Sequence, residues 1–314
     1  MKNGESKKGA ARMKKNKTMI AAFALPATIL FVLIFVYPVI RTVFMSFFSI
    51  QEITDSFSSW VFNGIDNYKA LMGNALYRTS WINLLKIFFL GGAITLGVSL
   101  LLAAILKSGV KLKGFWQAVI YMPNIISAVA MATMWIQYVF NSTYGFLPNF
   151  FKAIGLEPLA KIQWLAPDMK FAALLISYCF GTIGHYMLIW LSGMERISPD
   201  LYEASSIDGA NKVQQFIYIT LPLLRSMLKT NLTMWAISCS GFFIWSKLFS
   251  PITADTSTIV PMIYMYEKLF GAANTDDVTR DAGSAAAIGV MLCIFVVVMF
   301  LLTNKAIKDD DIEI

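Results

Sequence analysis

The sequence predicts an all-α membrane protein with six transmembrane helices, and three observations carry that prediction. Hydrophobic residues make up 57% of the 314-residue chain and charged residues only 14%, where a soluble domain carries about 25% charged residues. The apolar residues fall in long continuous blocks, without the alternation of strands or the narrow stripe of a soluble helix. Six blocks, at 19–38, 81–106, 115–140, 171–192, 227–244 and 283–302, are long enough to cross a hydrocarbon core of about 30 Å, which takes roughly 20 helical residues. Backbone groups in lipid must bond within their own segment, so the blocks are helices. The strands of a barrel would be about 10 residues long and alternating.

Residues 1–18 form a basic tail ahead of the first block. The apolar run that follows, 19–39, exceeds the roughly 7–15-residue core of a cleaved signal, and no small-residue cleavage site follows it. It reads as a retained helix. The tail, the turn after the second block, the loop after the fourth and the C-terminal tail together hold 16 Lys and Arg. The alternate segments, at 49–80, 141–170 and 247–282, hold 8. Arg41 and Lys86 stand near opposite ends of their blocks, where long side chains snorkel. Positive charge collects on the cytoplasmic side, so both termini and the loop after the fourth block are expected there. The net charge of +7 is then a topological signal and not a nucleic-acid footprint. One membrane domain spans 19–303, with tails at 1–18 and 304–314. No external segment is long enough for a domain of its own.

Little in the sequence suggests catalysis. No G-x-x-x-x-G-K-[ST] phosphate loop occurs, so the chain is expected to bind no ATP in that way. Cys179, Cys239 and Cys293 lie in apolar blocks without C-x-x-C spacing, which supports neither a disulfide nor a metal site. His185 is the single histidine, with no catalytic pattern around it. Carriers driven by ion gradients commonly place Asp, Glu or His in the membrane, but the centres of these six blocks hold no carboxylate. The energy is expected to come from another protein.

The long polar loop at about 193–226 supplies the means. Ser198-Pro199-Asp200 is a helix start with proline at a first-turn position. Residues 201–208 read as a short helix with Glu203 in its first turn, where a carboxylate suits the helix dipole. Gly209 is able to take the positive φ that ends a helix sharply. A second helix follows, and Pro222 sets the entry to the next block. Glu203-Ala204-Ser205, then Gly209 after three residues, then Ile219-Thr220-Leu221-Pro222 after nine, resembles the EAA loop of bacterial ABC importer permeases.

Other stretches extend the likeness along nearly the whole chain: Asn63-Gly64-Ile65-Asp66-Asn67-Tyr68, Tyr121-Met122-Pro123, Gln163-Trp164-Leu165, and Leu191-Ser192-Gly193-Met194-Glu195-Arg196-Ile197-Ser198. The chain resembles the membrane subunit of a type I ABC importer, in the carbohydrate group with the larger maltose-permease subunit and the glycerol-phosphate and multiple-sugar permeases. It departs in having Ser205 for the second alanine, in a proline shifted one place at Ser198-Pro199, and in lacking the large external domain of the enteric maltose subunit.

The resemblance implies a permease of the bacterial cytoplasmic membrane that imports a sugar. It implies a second permease, two cytoplasmic ATPase subunits that bind the ATP and Mg, and an external sugar-binding protein. The coupling residues would be Glu203, Ala204, Ser205, Asp208, Gly209, Ile219, Leu221 and Pro222. Glu203 would meet a basic group of the ATPase, and Gly209 would form the turn seated in its cleft. Ungapped transfer from Glu203 places a sugar path on Tyr178, Thr182 and His185, and on Trp235, Ser238, Cys239 and Phe242, with Asn231 and Gln137 next in rank. The first set is spaced i, i+4, i+7, one helix face. Aromatic planes and hydroxyls suit a sugar, although small and polar residues also glue membrane helices together. An ABC permease for another solute, and a self-sufficient carrier or channel, stay open as alternatives.

Overall fold

The computed structural model describes residues 19, 22–251, 255–271 and 280–307. The basic tail expected over 1–18, and residues 308–314, lie outside the described residues. Four helices are long and apolar enough to cross a membrane: α1 (Ala22–Met45), α3 (Ala75–Lys107), α7 (Lys170–Glu195) and α13 (Ala282–Ala306). A fifth candidate is a broken pair, α4 (Lys113–Ile125) and α5 (Ala128–Val139), bent by 94°. Between these lie α2 (Asp66–Gly73), α6 (Phe146–Ala153), α8 (Pro199–Ile207), α9 (residues 212–223), α10 (Arg225–Ser240), α11 (Ile244–Phe249) and α12 (Pro261–Phe270).

Two expected blocks prove discontinuous. The block at 115–140 breaks at Ile126, which is extended, and restarts where the Ser127 hydroxyl accepts from the Ala130 N–H. Pro123 sits just before the break and brings no N–H to the ladder. The block at 227–244 becomes α10, a break over 241–243, and α11. Alone α10 spans about 24 Å, and Arg225 and Lys229 lower its hydropathy. By contrast the first block runs on through Pro38 to Met45. A π-helical segment over Val32–Val36 widens the turn that would otherwise press the proline ring against the Ile34 carbonyl.

The described helices pack around α7, which lies against α3 and α4, while α10, α12 and α1 pack on α13. Glycines allow the closest approaches: a Cβ on Gly184 of α7 would strike the Ile120 carbonyl of α4, and one on Gly193 would strike Met227. Small residues serve this purpose in lipid, where helices are held by packing rather than by the hydrophobic effect. The core has one part around Tyr77, Tyr178, Trp235 and Ile288 and a second part around Trp190, Met194 and Leu224, near the loop at 199–223. Along α1 the apolar window buries nothing inside the chain, as a lipid-facing helix does.

The stretch Asn63–Tyr68 closes the far end. Asn67 is buried and its Nδ2 donates to the Ser46 and Phe48 carbonyls at 2.9 Å. Tyr68 Oη donates to Ser46 Oγ at 2.7 Å. A two-stranded antiparallel ribbon pairs Phe48 with Phe62 and Ser49 with Val61. The Gly283 N–H donates to the Ile50 carbonyl, tying this end of α1 to α13.

Candidate functional site

The loop at 199–223 is a helix–turn–helix held by its own side chains. Ser198 Oγ accepts from the Asp200 N–H and Pro199 occupies the first turn. The helix therefore starts two residues earlier than expected, and Asp200, not Glu203, stands in the first turn. Glu203 sits a turn further on, where the helix dipole is weaker. Gly209 has φ +86°, and a Cβ there would meet nothing within 4 Å; the conformation, not crowding, requires glycine. Asn211 and Gln214 form a reciprocal capping box that starts α9.

Four residues outside the expected coupling set, Tyr202, Ser206, Gln215 and Thr220, clasp the two helices. Gln215 is buried, and its Nε2 lies 3.0 Å from the Tyr202 carbonyl, 3.0 Å from Ser205 Oγ and 2.8 Å from Ser206 Oγ. Tyr202 Oη and Thr220 Oγ1 are 2.9 Å apart. Ser205, which replaces the second alanine of the motif, is thus a partner in the clasp. No spacing rule marks Gln215; the capping box one residue earlier is the only local signal.

Of the expected coupling residues, Glu203, Ala204, Asp208, Gly209 and Leu221 are exposed, and Ser205, Ile219 and Pro222 are half-buried. Ile207 at 87% exposed, Tyr218 at 75% and Val213 at 66% add large apolar surface. The loop is braced by its own hydrogen bonds and presents large apolar side chains among exposed charges, with its sharp turn open.

The second candidate site lies between α7 and α10, and its expected residues divide into two groups. Trp235 and Cys239 are fully buried, with Tyr178 and Phe242 nearly so. Trp235 Nε1 donates to the Phe88 carbonyl at 2.9 Å, inside a π-helical turn over Ile87–Gly91. Tyr178 stacks edge-on to Phe242 at 4.7 Å and to Trp245 at 5.7 Å. In this conformation the four residues are packed helix contacts, so Trp235 offers no open face to a ligand. His185 and Ser238 are exposed and Thr182 half-buried. Ser238 Oγ lies 3.3 Å from Tyr186 Oη, whereas Thr182 Oγ1 donates back to the Tyr178 carbonyl. His185 stands edge-on to Tyr186 and keeps both ring nitrogens free of hydrogen bonds to the described residues. Gln137 is exposed. Asn231 is fully buried, and neither end of its carboxamide has a partner among the described residues.

The segment around 255–260 ties three elements together at the end of the molecule opposite the loop. Asn83 Nδ2 donates to the Thr256 and Ile259 carbonyls at 2.9 Å, Ser246 Oγ donates to the Thr258 carbonyl, and Lys170 pairs with Asp255 at 2.6 Å. Burial would raise the Asp255 carboxyl, but hydrogen bonds from Lys170 and Ser257 outweigh it and hold the group below its ordinary value.

The family described as binding-protein-dependent transport system inner membrane component matches residues 93–305. The chain is 30% identical over 272 residues to the probable ABC transporter permease protein YesP of Bacillus subtilis, covering 83% of this chain and 85% of that one. It is 29% identical over 286 residues to the arabinooligosaccharides transport system permease protein AraP of the same organism, covering 90% and 86%. Its fold matches a chain of a bacterial alginate ABC transporter, solved with an alginate pentasaccharide-bound periplasmic protein. The TM-score is 0.73 at 22% identity, over 94% of this chain and 95% of that one.

Proposed function

Since the chain belongs to the family of binding-protein-dependent transport system inner membrane components, we propose that it is one of two permease subunits of an ATP-driven sugar importer. An external binding protein would deliver an oligosaccharide. The observation that carries the reading is the loop at 199–223, braced from within and exposing Ile207 and Tyr218 among charged side chains. Exposed apolar side chains of this kind mark a partner surface, and Ile207 and Tyr218 suit the cleft of a soluble ATPase. The alginate transporter and the arabinooligosaccharide permease supply the substrate class.

In this reading both termini and the loop face the cytoplasm, on the strength of the charge asymmetry. Six crossings result when α4 with α5, and α10 with α11, each cross once with a break. Non-helical backbone at membrane depth is tolerated where it is buried in protein or lines a cavity, so the two breaks mark the path. ATP binding would close the ATPase pair and move α8 and α9 together, because Gln215 and Tyr202 join them. The force would pass along α7 and α10, which the loop connects. His185, Thr182 and Ser238 would meet the sugar, with Tyr178, Trp235, Cys239 and Phe242 as the wall behind. Hydroxyls and an imidazole supply donors and acceptors for sugar hydroxyls, while the partner permease closes the other side.

Affinity purification through a tag on this chain, followed by reconstitution in liposomes, tests the proposal. We expect a second permease and an ATPase to co-purify, and labelled oligosaccharide to enter only with ATP and binding protein. Sugar entry driven by this chain alone would establish a self-sufficient carrier and overturn the reading.

A further inference from the structure

A cavity of about 610 Å³ lies beside the loop, between the last turns of α3 and the start of α9, within the usual size of a small-molecule site. Its walls are mainly apolar: Leu101, Ile105, Val213 and Phe216 line it. Leu101 at 59% exposed and Ile105 at 55% also form the outer flank of α3, so the apolar wall continues onto the surface that faces lipid. The polar end holds Lys107 and Lys212. Neither lysine has a carboxylate partner among the described residues. Lys107 closes the apolar helix α3, which places it at headgroup depth. Trp116, exposed at the start of α4, is a residue type that settles at the same depth.

We infer that this cavity is a binding site for one anionic glycerophospholipid, its phosphate between Lys107 and Lys212 and an acyl chain along Leu101 and Ile105. Charge complementarity selects the occupant. Two ammonium groups with no carboxylate partner among the described residues, over an apolar wall that continues onto the lipid-facing flank of α3, fit an anionic headgroup with a hydrocarbon tail, and basic pockets between membrane helices on the cytoplasmic side hold such lipids. A soluble sugar would leave both the charges and the apolar wall unmatched. Assignment to the cytoplasmic leaflet rests on the orientation proposed above. The bound lipid joins α3 to α9, so it braces the loop against the membrane domain.

The test uses the complex purified through this chain into nanodiscs, one set of phosphatidylcholine alone and one with added phosphatidylglycerol. Lipid that stays with the protein after detergent exchange is measured by mass spectrometry, without sugar or ATP, so the result is independent of the transport test. Wild-type complex is expected to retain phosphatidylglycerol and not phosphatidylcholine. Lys107→Gln with Lys212→Gln should weaken retention about thirtyfold, from about 1 kcal/mol for each lysine, with unchanged sedimentation. If that variant fails to assemble, Ile105→Trp decides instead, by filling the wall and leaving both charges: loss of the lipid supports the site. Equal retention of both lipids, or wild-type retention in the variant that is read, overturns it. Displacement by excess inorganic phosphate also overturns it, in favour of a free-anion site. Efficient cross-linking of Val213→Cys to a co-purified subunit does the same, in favour of a protein occupant.

Discussion

The indole Nε1 of Trp235 donates to the Phe88 carbonyl at 2.9 Å, joining α10 to the π-helical turn of α3. Gly91 and Gly92 make the approach possible: a Cβ on Gly92 would lie 2.7 Å from that nitrogen. The same carbonyl also accepts the Gly92 N–H, since a carbonyl oxygen has two lone pairs. Trp235 is therefore a key between helices before it is anything else.

Truncation at this key should cost stability first. Trp235→Ala empties a fully buried site, which costs about 3–5 kcal/mol, so the protein should accumulate less in the membrane and melt earlier in detergent. Trp235→Phe, which keeps most of the packing, should recover much of that loss. Wild-type melting and abundance in Trp235→Ala, together with lost uptake, would return the residue to a purely substrate-binding role.

The exposed group should behave in the opposite way. His185→Ala removes a group that faces outward from the core and should change stability by less than about 0.5 kcal/mol, while Ser238→Ala also takes the partner of Tyr186 Oη and should cost about 1 kcal/mol. Uptake of the sugar is expected to fall several-fold while complex yield stays level. If transport kinetics are unchanged in both variants, the sugar travels elsewhere.

Coupling is tested at the turn. Gly209→Asp places a Cβ at φ +86°, a strain of roughly 1–2 kcal/mol, in open space. Helix content and membrane yield should stay near wild type while uptake is abolished, and Glu203→Lys should do the same by reversing an exposed charge. Normal sugar-stimulated ATP hydrolysis in both would remove the loop from the coupling route.

Topology has a direct readout. In a cysteine-less background, Gly155→Cys, exposed beyond α6, should label from outside with a membrane-impermeant maleimide. Gly209→Cys should label only after permeabilisation. Labelling of the second position in intact cells would invert the orientation.

The Lys170–Asp255 pair sets a pH dependence. The carboxyl is held below its ordinary value, so its contribution to stability is full above about pH 4, the unfolded value. It is lost only as pH falls through the lower folded value. Thermal stability should therefore keep this contribution down to mildly acidic pH. In Lys170→Met the contribution should be absent at neutral pH already, and a melting temperature equal to wild type at pH 7 would show that the pair adds nothing.

Much of this protein was legible in the order of its residues because membrane insertion is a one-dimensional constraint. A run such as 283–302 must be a helix in lipid whatever surrounds it, and Ala282–Ala306 is one. The loop was equally local: Ser198, Pro199 and Gly209 define a start and a turn through their own backbone chemistry. Where local rules competed, contacts decided. Pro38 did not end α1, because the π-turn before it accommodates the ring, and the block at 227–244 did not stay whole. The clasp by Gln215 and the burial of Trp235 were invisible in the sequence, since each depends on a residue elsewhere, Tyr202 on the facing helix and Phe88 147 positions away. Helical spacing put Tyr178, Thr182 and His185 on one face, but only packing determined which of them the core covers. Sequence fixes what each segment must do to satisfy its own backbone, whereas burial of a side chain is a property of the neighbours that tertiary structure brings to it.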